Sequence, residues 1–288
     1  MHGQPGEWLR VTAEVPARAV PGVPIPGRPK PGWQSPDAER RRDGSRSSLV
    51  ADVLTEVIAA RTAQTGQPSL DIVDVGAGTG GFAVSLASAG HRVTVVDPSP
   101  DALAAARWRA AEAGVSLTDV QGEAADLTSL VGTASADLVI CHSVLEYVDS
   151  PAAALAAVAQ VLRPGGTVSV LAANTVAAVL QRALAGRYAE ARALLPGEGE
   201  RHEEPAAQGA RAARRFTLPE LTALIAGAGL RVGDAHGIRI FSGLLPGAGA
   251  DLTTADALHE LEEAAATCPP LRDIAARLHI LGIAVPGK

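Results

Sequence analysis

The sequence predicts an α/β fold: a mostly parallel sheet with helices on both faces. Three observations predict it. Short apolar runs alternate with alanine-rich stretches from Leu70 to Leu171. A glycine-rich turn stands between the first run and the first helical stretch. With 288 residues and 47% hydrophobic content, the chain can bury one substantial core.

Residues 1–45 read as an extended arm. Seven prolines between residues 16 and 36 each lack a backbone donor and restrict the preceding residue, which disfavours regular structure. From about Ser47, Leu49, Val50, Val53, Leu54, Val57 and Ile58 recur at helical spacing, with Ser45 or Ser47 available as an N-cap. Strands are expected at Leu70–Val75, Arg92–Val96, Val115–Val120, Ala136–Cys141 and Thr167–Leu171. Helices are expected at Gly80–Ala89, Pro100–Ala113 and Pro151–Leu162.

After Leu171 the pattern loosens. Residues 174–217 read as an insertion capping the substrate: one helix, a Gly-, Glu- and Pro-rich loop, then an arginine-bearing segment ending at Phe216. Leu218–Ala228 reads as a helix, with Pro219 in its first turn and Gly229 just past its end. Leu230–His236 and Leu278–Val285 supply the last two strands, separated by an amphipathic helix over Thr254–Cys268. Residues 46–288 thus form one domain.

The formal net charge of −6 argues against bulk electrostatic binding of nucleic acid. Cys141 and Cys268 show neither a disulfide framework nor metal-ligand spacing, so no metal is expected. No apolar run suits a signal peptide or a membrane span. The sequence points to a soluble, cytoplasmic protein without a membrane partner.

The chemistry is signalled by Asp74-Val75-Gly76-Ala77-Gly78-Thr79-Gly80, at the end of a strand and the start of a helix. Glycines there let a cofactor lie against the main chain. About twenty residues on, Asp97 ends the next strand, placed to accept hydrogen bonds from ribose hydroxyls. Gly76, Gly78 and Gly81 also satisfy the dinucleotide spacing Gly-x-Gly-x-x-Gly, so NAD has to be weighed. Against NAD stand Asp74, an acid that dinucleotide folds do not need, "HSVLEYV" after the fourth strand, and "LRPGG" before the fifth. A scaffold that binds cofactor without catalysis is disfavoured by the complete loop together with Asp97.

With these motifs, residues 46 to 285 resemble the Rossmann-like class I S-adenosylmethionine-dependent methyltransferases. The resemblance implies S-adenosyl-L-methionine as cofactor. Gly76, Ala77, Gly78 and Gly80 would cradle its methionine portion, Asp74 would lie near its amine, and Asp97 would hold the ribose. Glu123 and Ala124 would border the adenine, and His142 would lie near the sulfonium. Arg46 is placed among the same contacts. Plainer readings stand beside these: Glu123 as a solvated loop acid, His142 as a satisfied strand-end histidine, and Asp126 as an N-cap.

The second half is similar to one branch, the tRNA 5-carboxymethoxyuridine methyltransferases. "HSVLEYVDSP", Asn174 after the fifth strand, "AGRY", "GIRIF", "LHELEEAAATCPPL" and "RLHILGIA" occur in the same order. That likeness implies esterification of a carboxylate on a modified wobble uridine of tRNA. An ionised carboxylate is its own nucleophile and needs positioning rather than a base. Asn174, Arg239 and Phe241 are the acceptor-side candidates, with Arg239 as a bidentate clamp and Phe241 as a stacking face. Arg239 reads equally as an exposed arginine on an edge strand. Residues 37–46 and 174–218 together carry eleven arginines against eight acids, a modest basic rim for RNA in a chain of net charge −6. A small-molecule acceptor, metabolite or natural product, is the alternative partner to tRNA.

Overall fold

The computed structural model describes residues 49–195, 213–244 and 256–285 in full, and the backbone alone of helical residues 36–48 and 252–255. The chain divides into two units, Met1–Arg40 and Arg41–Lys288, of which the second holds the whole sheet. The expected arm up to residue 35 and the side chain of Arg46 lie outside the described residues.

The elements run α1 (Pro36–Thr65), β1 (Asp71–Val75), α2 (Gly81–Ser88), β2 (Arg92–Asp97), α3 (Pro100–Glu112), β3 (Thr118–Gln121), α4 (Leu127–Val131), β4 (Ala136–His142) and α5 (Pro151–Val161). They continue with β5 (Leu162–Ala173), α6 (Thr175–Leu184), α7 (Tyr188–Ala193), α8 (Leu218–Gly227), β6 (Leu230–Ile238), α9 (Leu252–Ala265), α10 (Pro269–Arg272) and β7 (Arg277–Ala284). The seven strands form one sheet in the order β3-β2-β1-β4-β5-β7-β6. The strands from β3 to β5 are parallel, and β7 runs antiparallel between β5 and β6. This is the expected α/β sheet.

Alternation along the strands builds two cores. On β4, Val139 and Cys141 join one apolar cluster with Leu155 and Val158 of α5 and Leu221 and Ile225 of α8. Leu138 and Ile140 join the other, with Val50 and Leu54 of α1, Leu86 of α2 and Leu103 of α3. A strand buried on both faces is the mark of a parallel sheet sandwiched by helices. At the amino ends of the strands, buried Asp137 accepts from Arg61 Nη2 at 2.9 Å and from Arg163 Nη1 at 2.6 Å. Asp71 pairs with Arg92 and Arg163. This ionic cluster ties α1 to the sheet at the edge opposite the glycine loop.

Several boundaries depart from the sequence reading. Helix α1 starts at Pro36, so Ser45 and Ser47 lie inside it rather than at its cap; apolar periodicity cannot register a polar entry such as Ala38–Arg42. Strand β3 starts at Thr118 because Gly114 and Val115 close α3, with the Val115 N–H on Ala110 O at 3.0 Å. The helix expected over Thr254–Cys268 is α9, running Leu252–Ala265, and a further short helix, α10, opens beyond it at Pro269. Asp126 precedes α4 but its side chain makes no capping bond. Helix α8 instead carries a full capping box, Thr217 with Glu220, beyond the expected Pro219 and Gly229.

No described helix is long and apolar enough to cross a membrane. Among the described residues no cluster of three or more His, Cys, Asp or Glu side chains is arranged to hold a metal.

Candidate functional site

The glycine loop leaves the carboxyl end of β1 between β2 and β4, where the chain's direction of travel across the sheet reverses. That switch point is where open α/β sheets leave a crevice. The loop is fixed by Gly76 N–H to Val96 O at 2.7 Å, Gly80 N–H to Ala77 O at 2.9 Å and Gly78 N–H to Asp97 Oδ2 at 3.2 Å.

Two of its glycines are required by space as well as by backbone angle. Gly76 has φ 64°, and a Cβ there would lie 2.6 Å from Val144 Cγ2. Gly80 has φ 75°, and a Cβ would lie 2.9 Å from Ala106 Cβ of α3. At Gly81 the nearest atom to an added Cβ is the flexible end of Arg109, at 3.4 Å. Close packing therefore falls at Gly76 and Gly80, Gly78 is required by its φ of 53° alone, and Gly81 lacks the packing role of a third dinucleotide glycine.

Asp97 sits at the end of β2, its Oδ1 accepting from the Ser99 N–H at 2.9 Å and its Oδ2 from Gly78. Buried Asp74, on β1, feels the same region: burial first, then the charge of Asp97, push its carboxyl up to about 7. A cavity of about 380 Å³ opens here. Val75, Gly76, Asp97 and Pro98 line one side, Gly122, Glu123 and Ala124 another, and Ser143, Val144, Tyr147 and Val148 the third. Glu123 is exposed and Ala124 buried, as an edge contact and a backbone wall require. The arrangement can accept hydrogen bonds from a diol at Asp97 and flank a flat apolar group, while buried Asp74 lies behind the lining.

His142, expected near the sulfonium, ends β4 and is not among the residues lining the cavity. Its Nε2 pairs with Ser169 Oγ at 2.8 Å, and the ring edge meets Phe82 at 5.3 Å between centroids. Burial first, and Arg277 second, pull its pKa down to about 3. Ser169 Oγ pairs in turn with His279 Nε2 at 2.7 Å, and His279 Nδ1 lies 3.4 Å from His236 Nδ1. His142 is thus the first member of a histidine chain crossing β4, β5, β7 and β6, with its buried Nδ1 left without a hydrogen-bond partner among the described residues.

The three acceptor-side candidates lie outside the cavity lining. Asn174 is buried and caps α6, its Oδ1 accepting from Val176 N–H at 3.0 Å. Its Nδ2 donates to Asp273 O at 2.9 Å and Ala275 O at 2.8 Å, so both of its N–H donors are spent on the main chain. Arg239 follows β6 with φ 60°, its carbonyl accepting from Ala276 N–H at 3.2 Å. Phe241 packs against a small cluster with Ile240, Ala265 and Ala275 rather than presenting a stacking face. Glu262 of α9 holds this turn, accepting from the N–H groups of Ile240, Phe241 and Ser242 at 2.6, 3.0 and 2.8 Å. Arg239 and Phe241 thus belong to a turn fixed by Glu262, and Asn174 to the cap of α6.

The sequence reading missed the wall after β4. "HSVLEYV" was legible as a motif, yet Ser143, Val144, Tyr147 and Val148 face the cavity. Beneath it, Glu146 Oε1 accepts from Ala173 N–H at 2.9 Å and lies 3.8 Å from Arg277 Nη1. Arg214 donates through its guanidinium to Val148 O and to Asp149 O, and through its backbone N–H to Glu146 O. The only sequence signal for these contacts was the Arg214-Arg215 pair before Phe216.

A family model described as a methyltransferase domain matches residues 73–170. The tRNA 5-carboxymethoxyuridine methyltransferase of Escherichia coli strain K12 is 29% identical over 163 residues, 56% of this chain and 62% of that protein. The chain therefore spans less than two thirds of that relative. The ubiquinone biosynthesis O-methyltransferase of Xanthomonas axonopodis pv. citri is 32% identical over 199 residues, 68% of this chain and 77% of that protein. Among solved structures, an S-adenosylmethionine-dependent methyltransferase from Methanosarcina mazei superposes with a TM-score of 0.53 at 18% identity, covering 77% of this chain and 95% of that one. Loop, carboxylates, strand order and these likenesses agree: the chain belongs to the S-adenosylmethionine-dependent methyltransferase family.

Proposed function

We propose that the chain is a methyltransferase that binds S-adenosylmethionine in the cavity beside Asp97 and methylates an acceptor presenting an anionic oxygen. The observation that carries this reading is the pairing of two carboxylates, Asp74 and Asp97, with a turn in which Gly76, Gly78 and Gly80 all have positive φ and Gly76 and Gly80 leave no room for a Cβ. These residues fit the cofactor: Asp97 would take the ribose hydroxyls, Glu123 and Ala124 the adenine, and Asp74 the amino group. When bound, the cofactor supplies an electrophilic methyl group on a positively charged sulfur.

On the acceptor side, an ionised oxygen would attack the methyl group without a general base, so the site has to position the acceptor rather than deprotonate it. Residues 174–217, of which 196–212 lie outside the described residues, would cap the acceptor; α6 and α7 belong to this segment, and Arg214 ties its last part to the wall after β4. The first candidate is the carboxylate of a modified wobble uridine in tRNA. A small-molecule acceptor is the second reading, favoured by the longer alignment with the ubiquinone biosynthesis enzyme.

Mass spectrometry of tRNA nucleosides from a strain lacking the gene decides between them. Loss of a methyl ester with accumulation of the free acid is the result expected for tRNA. An unaltered nucleoside profile excludes tRNA as the acceptor and directs the assay to small acids and phenols.

A further inference from the structure

The first residue after β4 is held in an uncommon way. Ser143 has φ 59°, the left-handed region where a β-carbon is crowded, although it is neither glycine nor asparagine. Two bonds hold it there: its N–H on Leu171 O at 2.7 Å, and its Oγ accepting from Arg277 Nη1 at 2.5 Å. Arg277 belongs to β7, so its side chain crosses the end of β5 to reach β4. Beside it lies Glu146, whose carboxylate also takes the Ala173 N–H. The next residue, Val144, stands over Gly76 with no room for a β-carbon between them. Contacts thus run without a break from Glu146 through Arg277, Ser143 and Val144 to the glycine loop.

We infer that Arg277 is a positioning residue for cofactor binding: its grip on the Ser143 hydroxyl keeps the turn after β4 left-handed and so sets where Val144 meets Gly76. The inference rests on the reading that the cavity takes S-adenosylmethionine. Without the grip, Ser143 relaxes toward negative φ and carries Val144, a cavity wall, with it. Ser143 carries this strain beside the residue that forms that wall, the usual setting for a conformation held by its surroundings.

Calorimetry with S-adenosylhomocysteine tests this without needing the methyl acceptor. Arg277→Ala weakens binding about tenfold, the scale of one charge-assisted hydrogen bond. Ser143→Ala, which leaves Arg277 and Glu146 in place, weakens it to a similar extent. Ser143→Gly binds several-fold more tightly than Ser143→Ala, because glycine adopts this φ without a clamp. For the same reason Arg277→Ala/Ser143→Gly binds more tightly than Arg277→Ala alone. Arg277→Lys recovers part of the affinity, since one ammonium can reach the hydroxyl. Should Arg277→Ala fail to fold, the comparison of Ser143→Ala with Ser143→Gly still decides. Equal affinities of wild type and Ser143→Ala, or of the alanine and glycine variants, overturn the inference. Absence of binding by the wild-type chain overturns the cofactor reading instead.

Discussion

At the scale of single residues, the site rests on two carboxylates in unlike surroundings. Asp97 already accepts two backbone N–H groups and still faces the cavity. Asp97→Ala should weaken cofactor affinity by about 1–3 kcal/mol with the fold intact, measured by calorimetry beside a thermal melt. Asp74 behaves differently, because burial and Asp97 raise its pKa to about 7. Binding an ammonium group favours the ionised acid, so cofactor affinity should fall about tenfold per pH unit below 7. The dependence should flatten in Asp74→Asn; an unchanged slope in that variant would remove Asp74 from the cofactor's amine. Asp74, Asp97 and the glycines were legible because a turn and a strand end constrain residue type at fixed spacing. Ser143 and Arg277 were not, since no local pattern reveals a side chain reaching from β7 over β5 to β4. The main-chain bonds of Asn174 were hidden for a related reason: an asparagine after a strand looks alike whether it meets a ligand or the main chain.

At the scale of elements, the parallel strands and their helices were readable from apolar runs and caps. The histidine chain was not, because His142, His236 and His279 are far apart in sequence and meet only through the order β4-β5-β7-β6. Ser169 joins two rings, so Ser169→Ala leaves buried nitrogens unpaired and should cost about 1–3 kcal/mol in denaturant unfolding. Acid acts on the same chain. His142 is pulled down to about 3 and His279 well below its ordinary value, in both cases by burial first. Each stays neutral in the native state while the unfolded chain gains a proton below about 6.5. Their stabilisation is complete above that pH and falls by about 1.4 kcal/mol per pH unit for each histidine below it. Asp74 has the opposite sign, since its raised pKa makes the native state gain stability as pH falls through 7. Two histidines outweigh one aspartate, so net stability should decline from pH 6.5 to 5; a flat or rising profile would contradict the buried neutral chain.

At the scale of the whole molecule, a mostly parallel sheet with helices on both faces followed from the alternation of elements, whereas the strand order and its reversal at β1 depend on pairings between strands distant in sequence. Acceptor identity did not follow either, because it is carried by segments such as residues 174–217, whose composition fits an RNA-facing rim and a solvated surface equally well. The net charge of −6 sets a modest expectation for RNA: any tRNA affinity should depend on the local arginines and weaken steeply with salt. What the entire architecture is built to hold is an amino acid joined to one nucleoside rather than a dinucleotide. Calorimetry of the wild-type chain with S-adenosylmethionine and, separately, with NAD separates the two. Micromolar-range binding of S-adenosylmethionine and negligible heat with NAD are expected, whereas tight NAD binding without S-adenosylmethionine binding would contradict the assignment of the glycine loop.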